Sequence, residues 1–199
     1  MPVAPSFPLD AAPVSEDARQ VAARLRLLIG SDGGFLAVAG VSDGDGCTQL
    51  ASRLAGAMSQ IASFPTLLIE SEASGAPGLL DVLSGNADLA RAARPTAGGN
   101  LYVLPYGSAS TTLPSLLSSV HGSVALAALR GRFPYVFADV GAVLSNPESL
   151  LLASRADCVV AAVRAGARRR HEVKHFHEEL QRLAIRLLGV VLTVGTPRR

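Results

Sequence analysis

The chain has 199 residues, 49% hydrophobic and 17% charged, which suits one folded domain with a real core and excludes a disordered chain. Its 18 basic and 16 acidic residues leave a net charge of +2, and aromatics are only 5% with no Trp. There is neither the charge nor the stacking surface for nucleic acid, which is not an expected partner. Cys47 and Cys158 are too few for a disulfide scaffold, and no apolar run approaches the ~20 residues of a membrane span, so a soluble protein of a reduced cytosol is expected.

Residues 1–14, broken by Pro2, Pro5, Pro8 and Pro13, read as an extended leader. Ser15 can then cap a helix whose first turn carries Glu16 and Asp17, the favourable sign for the helix dipole. Val21, Leu25 and Leu28 recur at helical spacing, and Gly30 ends the run. FLAVAG (35–40) is a continuous apolar run of the kind found in buried parallel strands. A glycine-rich turn, VSDGDGCTQ (41–49), follows, and then a helix marked by Leu50, Leu54, Met58 and Ile61. Further strands are expected at 66–70, 101–105, 134–139, 157–163 and 186–194, with helices around 115–130, 147–154 and 168–184. This alternation predicts a single α/β domain over 15–195: a mostly parallel sheet with helices on both faces, three-layered, Rossmann-like and of P-loop NTPase type. Residues 196–199 read as a short basic tail.

The strand–glycine turn–helix at 35–62 carries the strongest chemical signal. A phosphate-binding loop needs small residues so that backbone N–H groups converge, a Lys for the outer phosphates and a Ser or Thr for magnesium. The turn supplies Gly44, Gly46 and Thr48, followed by Gln49, but the lysine position holds Cys47. The sole lysine, Lys174, lies far down the chain. Asp43 and Asp45 add negative charge where a triphosphate would sit. From these residues alone the turn reads equally as a P-loop descendant or as an ordinary glycine-bearing βα turn. Asp139, ending a buried apolar strand, faces the ligand edge of such a sheet.

Other chemically suggestive groups have plain readings. Cys47 sits at a helix N-terminus, which lowers a thiol pKa, but the neighbouring aspartates oppose that, and an inert small residue is expected. His171 and His175 have i, i+4 spacing, yet they lie opposite Val173, Phe176 and Leu180 with no third ligand, so a solvated face is expected. Cys158 reads as a core residue. Arg168, Arg169 and Arg170 are open to three uses: replacing the lysine, contacting a second subunit, or opening a solvated helix.

The order of segments from Pro13 to about Gly195 resembles the cytoplasmic kinase domain of bacterial tyrosine kinases (BY-kinases), within the MinD/ParA-like P-loop ATPases. SEDAR (15–19) resembles the family's Ser-Glu-x-x-Arg assembly helix, TLLIESE (66–72) its second, Asp-containing motif, and PGLLDVLSGNADL (77–89) its Pro-Gly-Leu-x-Asp-Val-Leu-x-Gly stretch. LYVLPYG (101–107), YVFADVGAVL (135–144) and CVVAAVRAGARRR (158–170) follow the family's later strands. The resemblance places lysine at 47 and aspartates at 70, 72 and 139, where this chain has Cys47, Glu70, Glu72 and Asp139. Losing the lysine removes a charge-assisted contact worth about 1.5–3 kcal/mol, and a carboxylate moved by one methylene can cost ~100-fold in rate. Active members carry a Tyr-rich tail, whereas this sequence ends TPRR and holds only Tyr102, Tyr106 and Tyr135. Ala22 stands where the assembly helix has its second Arg, which leaves Glu16 and Arg19 as the interface candidates.

The resemblance therefore implies a pseudokinase that scaffolds or regulates bacterial exopolysaccharide or capsule synthesis and export. Its partner would be an inner-membrane polysaccharide co-polymerase or another secretion-machine component, at the cytoplasmic face of that membrane, with a homo-oligomer as a further option. No cofactor is certain. ATP or ADP with magnesium would be held weakly, by the backbone of Gly44, Asp45, Gly46, Cys47, Thr48 and Gln49, with Thr48, Glu70 and Asp139 as the ancestral magnesium positions. Glu70, Glu72 and Asp139 are the ancestral catalytic positions. Two alternatives stand beside this: an active but divergent ATPase or tyrosine kinase, and a MinD/ParA-like positioning ATPase.

Overall fold

The computed structural model describes residues 14–72, 75–108 and 112–194. The expected leader, apart from Val14, and the basic tail lie outside the described residues. Ser15 accepts a hydrogen bond from the Ala18 N–H and caps α1 (Glu16–Ile29), as its position before two acidic residues predicts. The apolar run forms β1 (Gly34–Gly40), and the glycine turn leads into α2 (Cys47–Ile61).

After β2 (Thr66–Ile69) come α3 (Leu79–Ser84), α4 (Leu89–Ala92), β3 (Arg94–Pro95) and β4 (Leu101–Leu104). The chain continues through α5 (Leu113–Ser118), α6 (Val120–Arg132), β5 (Tyr135–Ala142), α7 (Pro147–Ala153), β6 (Cys158–Arg164), α8 (Arg170–Arg182) and β7 (Leu187–Thr193). The sheet order is β3-β4-β2-β5-β1-β6-β7, parallel throughout except for the short β3 edge.

One face of the sheet packs under α1 and α2, with Ala22, Leu25, Leu54 and Met58 against Leu36, Val38 and Phe137. The other face lies under the remaining helices, where Leu79, Leu129, Leu152, Phe176 and Leu180 cover Phe35, Ala37, Val136 and Ala138. The three-layer α/β expectation is met.

Three local details depart from the sequence reading. The helix expected around 115–130 is two helices, because Ser119 adopts an extended backbone (φ −80°, ψ 153°) and its hydroxyl oxygen accepts from the Gly122 N–H. Helices α3 and α4 were not anticipated as helices. Asp81 fixes α3 by accepting from the Gly78 N–H at 2.9 Å and from the Ser108 N–H at 3.2 Å, and a Cβ on Gly78 would collide with the Pro105 carbonyl. Strand β5 runs past Asp139, but its pairing with β1 jumps there: Val38 sits opposite Asp139 and Ala39 opposite Gly141. That bulge lifts Asp139 to the point where the sheet opens, the ligand edge of a parallel α/β sheet.

Candidate nucleotide site

The loop between β1 and α2 turns on Gly44 (φ +82°) and Gly46 (φ +80°), left-handed conformations that cost little only for glycine. Gly46 is also the residue before α2, so the first N–H groups of a 15-residue helix point into the loop.

Asp45 lies differently from its expected place. It is fully buried, and its carboxylate accepts from the Ser42 N–H at 2.9 Å, the Arg164 N–H at 3.2 Å and the Arg168 Nε at 2.7 Å. Its carbonyl accepts from Thr193 Oγ1 at 2.7 Å, and Arg168 also donates to the Asp43 carbonyl at 2.6 Å. Asp45 therefore adds no charge to a phosphate-binding space. It points inward and is paired, because the Ser42 and Arg164 N–H groups and the Arg168 guanidinium converge on its carboxylate. Arg168 is consumed by this pair, which removes it both as a lysine substitute and as an opening residue of a solvated helix; α8 begins only at Arg170.

Asp139 is also buried, and Thr48 Oγ1 (2.5 Å) and Ser71 Oγ (2.7 Å) both donate to its Oδ2 while the Gly141 N–H (3.1 Å) donates to Oδ1. Cys47 faces the same carboxylate. Burial, then the Asp139 charge, pushes its thiol up to about 11, so it is neutral at physiological pH. This agrees with an inert residue in the lysine position. Alkylation of Cys47 by iodoacetamide at pH 7.5, followed by mass spectrometry, is expected to run about two orders of magnitude slower than for a free thiol.

Thr48, Glu70, Glu72 and Asp139 line one narrow pocket together with Ser52 and Ser71, so the structure brings the ancestral positions together. Ser71 was missed by sequence reasoning; its hydroxyl between two acidic residues was the available signal. Burial raises the Glu70 pKa above 4.5, with Glu72 and Asp139 adding to the effect and Arg94 opposing it. The ionised form is thus penalised in the fold: the penalty is full above the raised pKa and vanishes below the unfolded value. Glu70→Gln is expected to raise the melting temperature at pH 7–8, with the difference from wild type closing as pH falls below about 4.5.

Two open spaces flank these residues. A cleft of about 270 Å³ is lined by Asp43, Ser71, Tyr106, Asp139, Asn146 and Glu148, and the Tyr106 hydroxyl donates to Glu148 at 3.1 Å. Burial first, and then Glu148, push that phenol up to about 12. A second cavity of about 370 Å³ opens at the loop mouth between Gly44, Gly46, Cys47, Thr48, Gln49, Arg164, Thr193 and Val194. The glycine turn and the α2 N-terminus set backbone N–H donors beside the Thr48 hydroxyl and the Asp139 carboxylate, with Cys47 immediately before Thr48.

The remaining candidates stand apart from the site. Glu16 and Arg19 pair with each other at 3.4 Å on the exposed side of α1, and Arg19 also reaches Gln60. Ala22 is buried beneath them. His171 and His175 are exposed on α8, and Cys158 is buried in β6. Among the described residues no group of three or more His, Cys, Asp or Glu side chains could hold a metal ion, and no helix is long and apolar enough to cross a membrane.

No family model matches the sequence. The tyrosine-protein kinase CpsD of Streptococcus agalactiae is 28% identical over 175 residues, covering 82% of this chain and 76% of the relative. The VpsO kinase domain superimposes with a TM-score of 0.77 at 28% identity, over 90% of this chain and 95% of that one. The chain is homologous to the bacterial tyrosine kinases. The kinase domain of Escherichia coli ETK shares the BY-kinase fold, with a TM-score of 0.80 at 18% identity over 92% of this chain and 76% of that one. The fold extends beyond the BY-kinases to cobyrinic acid a,c-diamide synthase of Mycobacterium smegmatis with bound ATP analogue and magnesium. That match has a TM-score of 0.65 at 21% identity and covers 84% and 77% of the two chains.

Proposed function

We propose that this chain is a BY-kinase-like domain that has lost phosphotransfer and serves as a scaffold or regulator of polysaccharide assembly and export. The observation that carries this reading is the neutral Cys47 thiol packed toward Asp139 where a lysine would meet the outer phosphates. Without that cation, charge developing on a transferred phosphoryl group has no positive partner from the loop. The tyrosines point the same way. Tyr135 is buried with its hydroxyl directed to the Gly30 and Ser31 carbonyls, Tyr102 packs on Phe133 at 5.2 Å, and Tyr106 is held by Glu148. None of the three is presented as a phosphate acceptor.

The domain binds the cytoplasmic part of an inner-membrane polysaccharide co-polymerase or another secretion-machine component, and that partner holds it at the membrane. Glu16 and Arg19, exposed at the start of α1, are the contact candidates toward such a partner or a second copy. Purified protein incubated with ATP, magnesium and a tyrosine-containing copolymer is expected to give no phosphotyrosine, and a co-polymerase cytoplasmic fragment is expected to co-purify with it. The convergence of Glu70, Glu72, Asp139 and Thr48 on one pocket favours the second reading, an active divergent enzyme. Under that reading, phosphotyrosine would form and would vanish on Asp139→Ala.

A further inference from the structure

We propose that the cleft of about 270 Å³ between the glycine turn and α7 binds an organic cation, a primary ammonium carried on an alkyl stem. Such a ligand takes no part in phosphate transfer, so its binding stands or falls apart from the pseudokinase reading.

The charge around the cleft has one sign. Asp43 is exposed, Glu148 half-buried and Asp139 buried, and no Lys, Arg or His is among the described residues that line it. Carboxylates alone could be left to water, but Ser149 points to a ligand. It is only 6% exposed, it lines the cleft from the first turn of α7, and its hydroxyl has no hydrogen-bond partner among the described residues. A Cβ placed on Gly141 would meet nothing but this oxygen, at 3.8 Å, so the approach to the hydroxyl is open. A hydroxyl so enclosed is costly to leave unpaired, and an entering N–H donor satisfies it. The carboxylates favour an ammonium over a guanidinium. Glu148 Oε2 already accepts from the Tyr106 hydroxyl, and both oxygens of Asp139 are taken, by Thr48 and Ser71 on Oδ2 and by Gly141 on Oδ1. Neither offers two free oxygens to a planar fork, whereas a compact ammonium needs only single acceptors such as Asp43, the second oxygen of Glu148 and Ser149. Leu113, Val140 and Leu152 line the same space and suit the alkyl stem. The sole lysine of the chain, Lys174, bonds Glu178 on α8, so the ammonium comes from elsewhere: a free diamine or the lysine side chain of a partner.

The test is calorimetric titration of the full chain, at fixed ionic strength, with pentane-1,5-diamine, an end-blocked lysine tripeptide and the same tripeptide acetylated on its lysine. Wild type is compared with Ser149→Ala, Glu148→Gln, Asp43→Asn and Asp32→Asn, the last on the exposed turn before β1 at the opposite end of the sheet. The diamine and the tripeptide are expected to bind wild type, and the acetylated tripeptide is not. Glu148→Gln and Asp43→Asn should each weaken binding about 10-fold or more, Ser149→Ala about 3- to 10-fold, and Asp32→Asn not at all. Asp43 is exposed, so its variant keeps the fold whatever α7 tolerates. Tighter binding of the tripeptide assigns the ammonium to a partner's lysine, and tighter binding of the diamine to a free polyamine; both uphold the cleft. No binding of either by wild type at millimolar concentration would overturn the assignment. So would equal affinity in wild type, Asp43→Asn and Ser149→Ala, or equal binding of the acetylated tripeptide; in those cases the loss of phosphotransfer still stands. Phosphotyrosine formation would overturn the pseudokinase reading alone.

Discussion

Asp45→Ala is expected to destabilise the domain by about 3–5 kcal/mol, the range for removing one member of a buried ion pair, and to lower the melting temperature by about 10 °C. The size follows from what is stranded. Arg168 is left largely buried without its partner, the Ser42 and Arg164 N–H groups lose their acceptor, and the loop loses its tie to β6. Asp45→Asn should cost less, since a carbonyl oxygen still accepts. A double variant, Asp45→Ala with Arg168→Leu, should recover part of the loss because the orphaned cation is gone as well. Urea denaturation decides the matter: a loss below about 1 kcal/mol for Asp45→Ala would mean that the pair does not hold the loop.

Phe137→Ala should be comparably severe, about 3–5 kcal/mol, because the ring is fully buried in the central strand between β1 and β2 and cannot be replaced by collapse of its neighbours. It also lies two residues before Asp139, so the cavity would loosen the carboxylate that Thr48 and Ser71 bind. The same chemistry on the open edge has no such consequence. Leu192 on β7 is 68% exposed, and Leu192→Ser should fall within about 0.5 kcal/mol of wild type. Similar losses for both variants in urea would contradict the placement of the core.

The central strands were legible because buried parallel strands are written as unbroken apolar runs, and FLAVAG and CVVAAV could hardly be anything else. The short helices α3 and α4 were hidden because no periodicity can develop over six or four residues; Asp81 and Asp88 cap them locally, and Asp81 also reaches Ser108 across the fold. At the site, Thr48, Glu70, Glu72 and Asp139 could be placed together because the segments that carry them follow the order of the family the chain resembles, and the structure brings them to one pocket. The direction of Asp45 could not be read, since it depends on where β6, the turn after it and β7 present Arg164, Arg168 and Thr193 across the fold. For the same reason the local acidity of the glycine turn suggested a repulsive site, whereas the packed loop presents Arg164 to the cavity.

The most direct measurement of the central claim is transfer of labelled γ-phosphate from ATP to a tyrosine copolymer, run beside the VpsO kinase domain as a positive control. The account predicts phosphotyrosine from the control and none above background from this chain. Label incorporated by this chain at a rate within about 10-fold of the control, and abolished by Asp139→Ala, would contradict it.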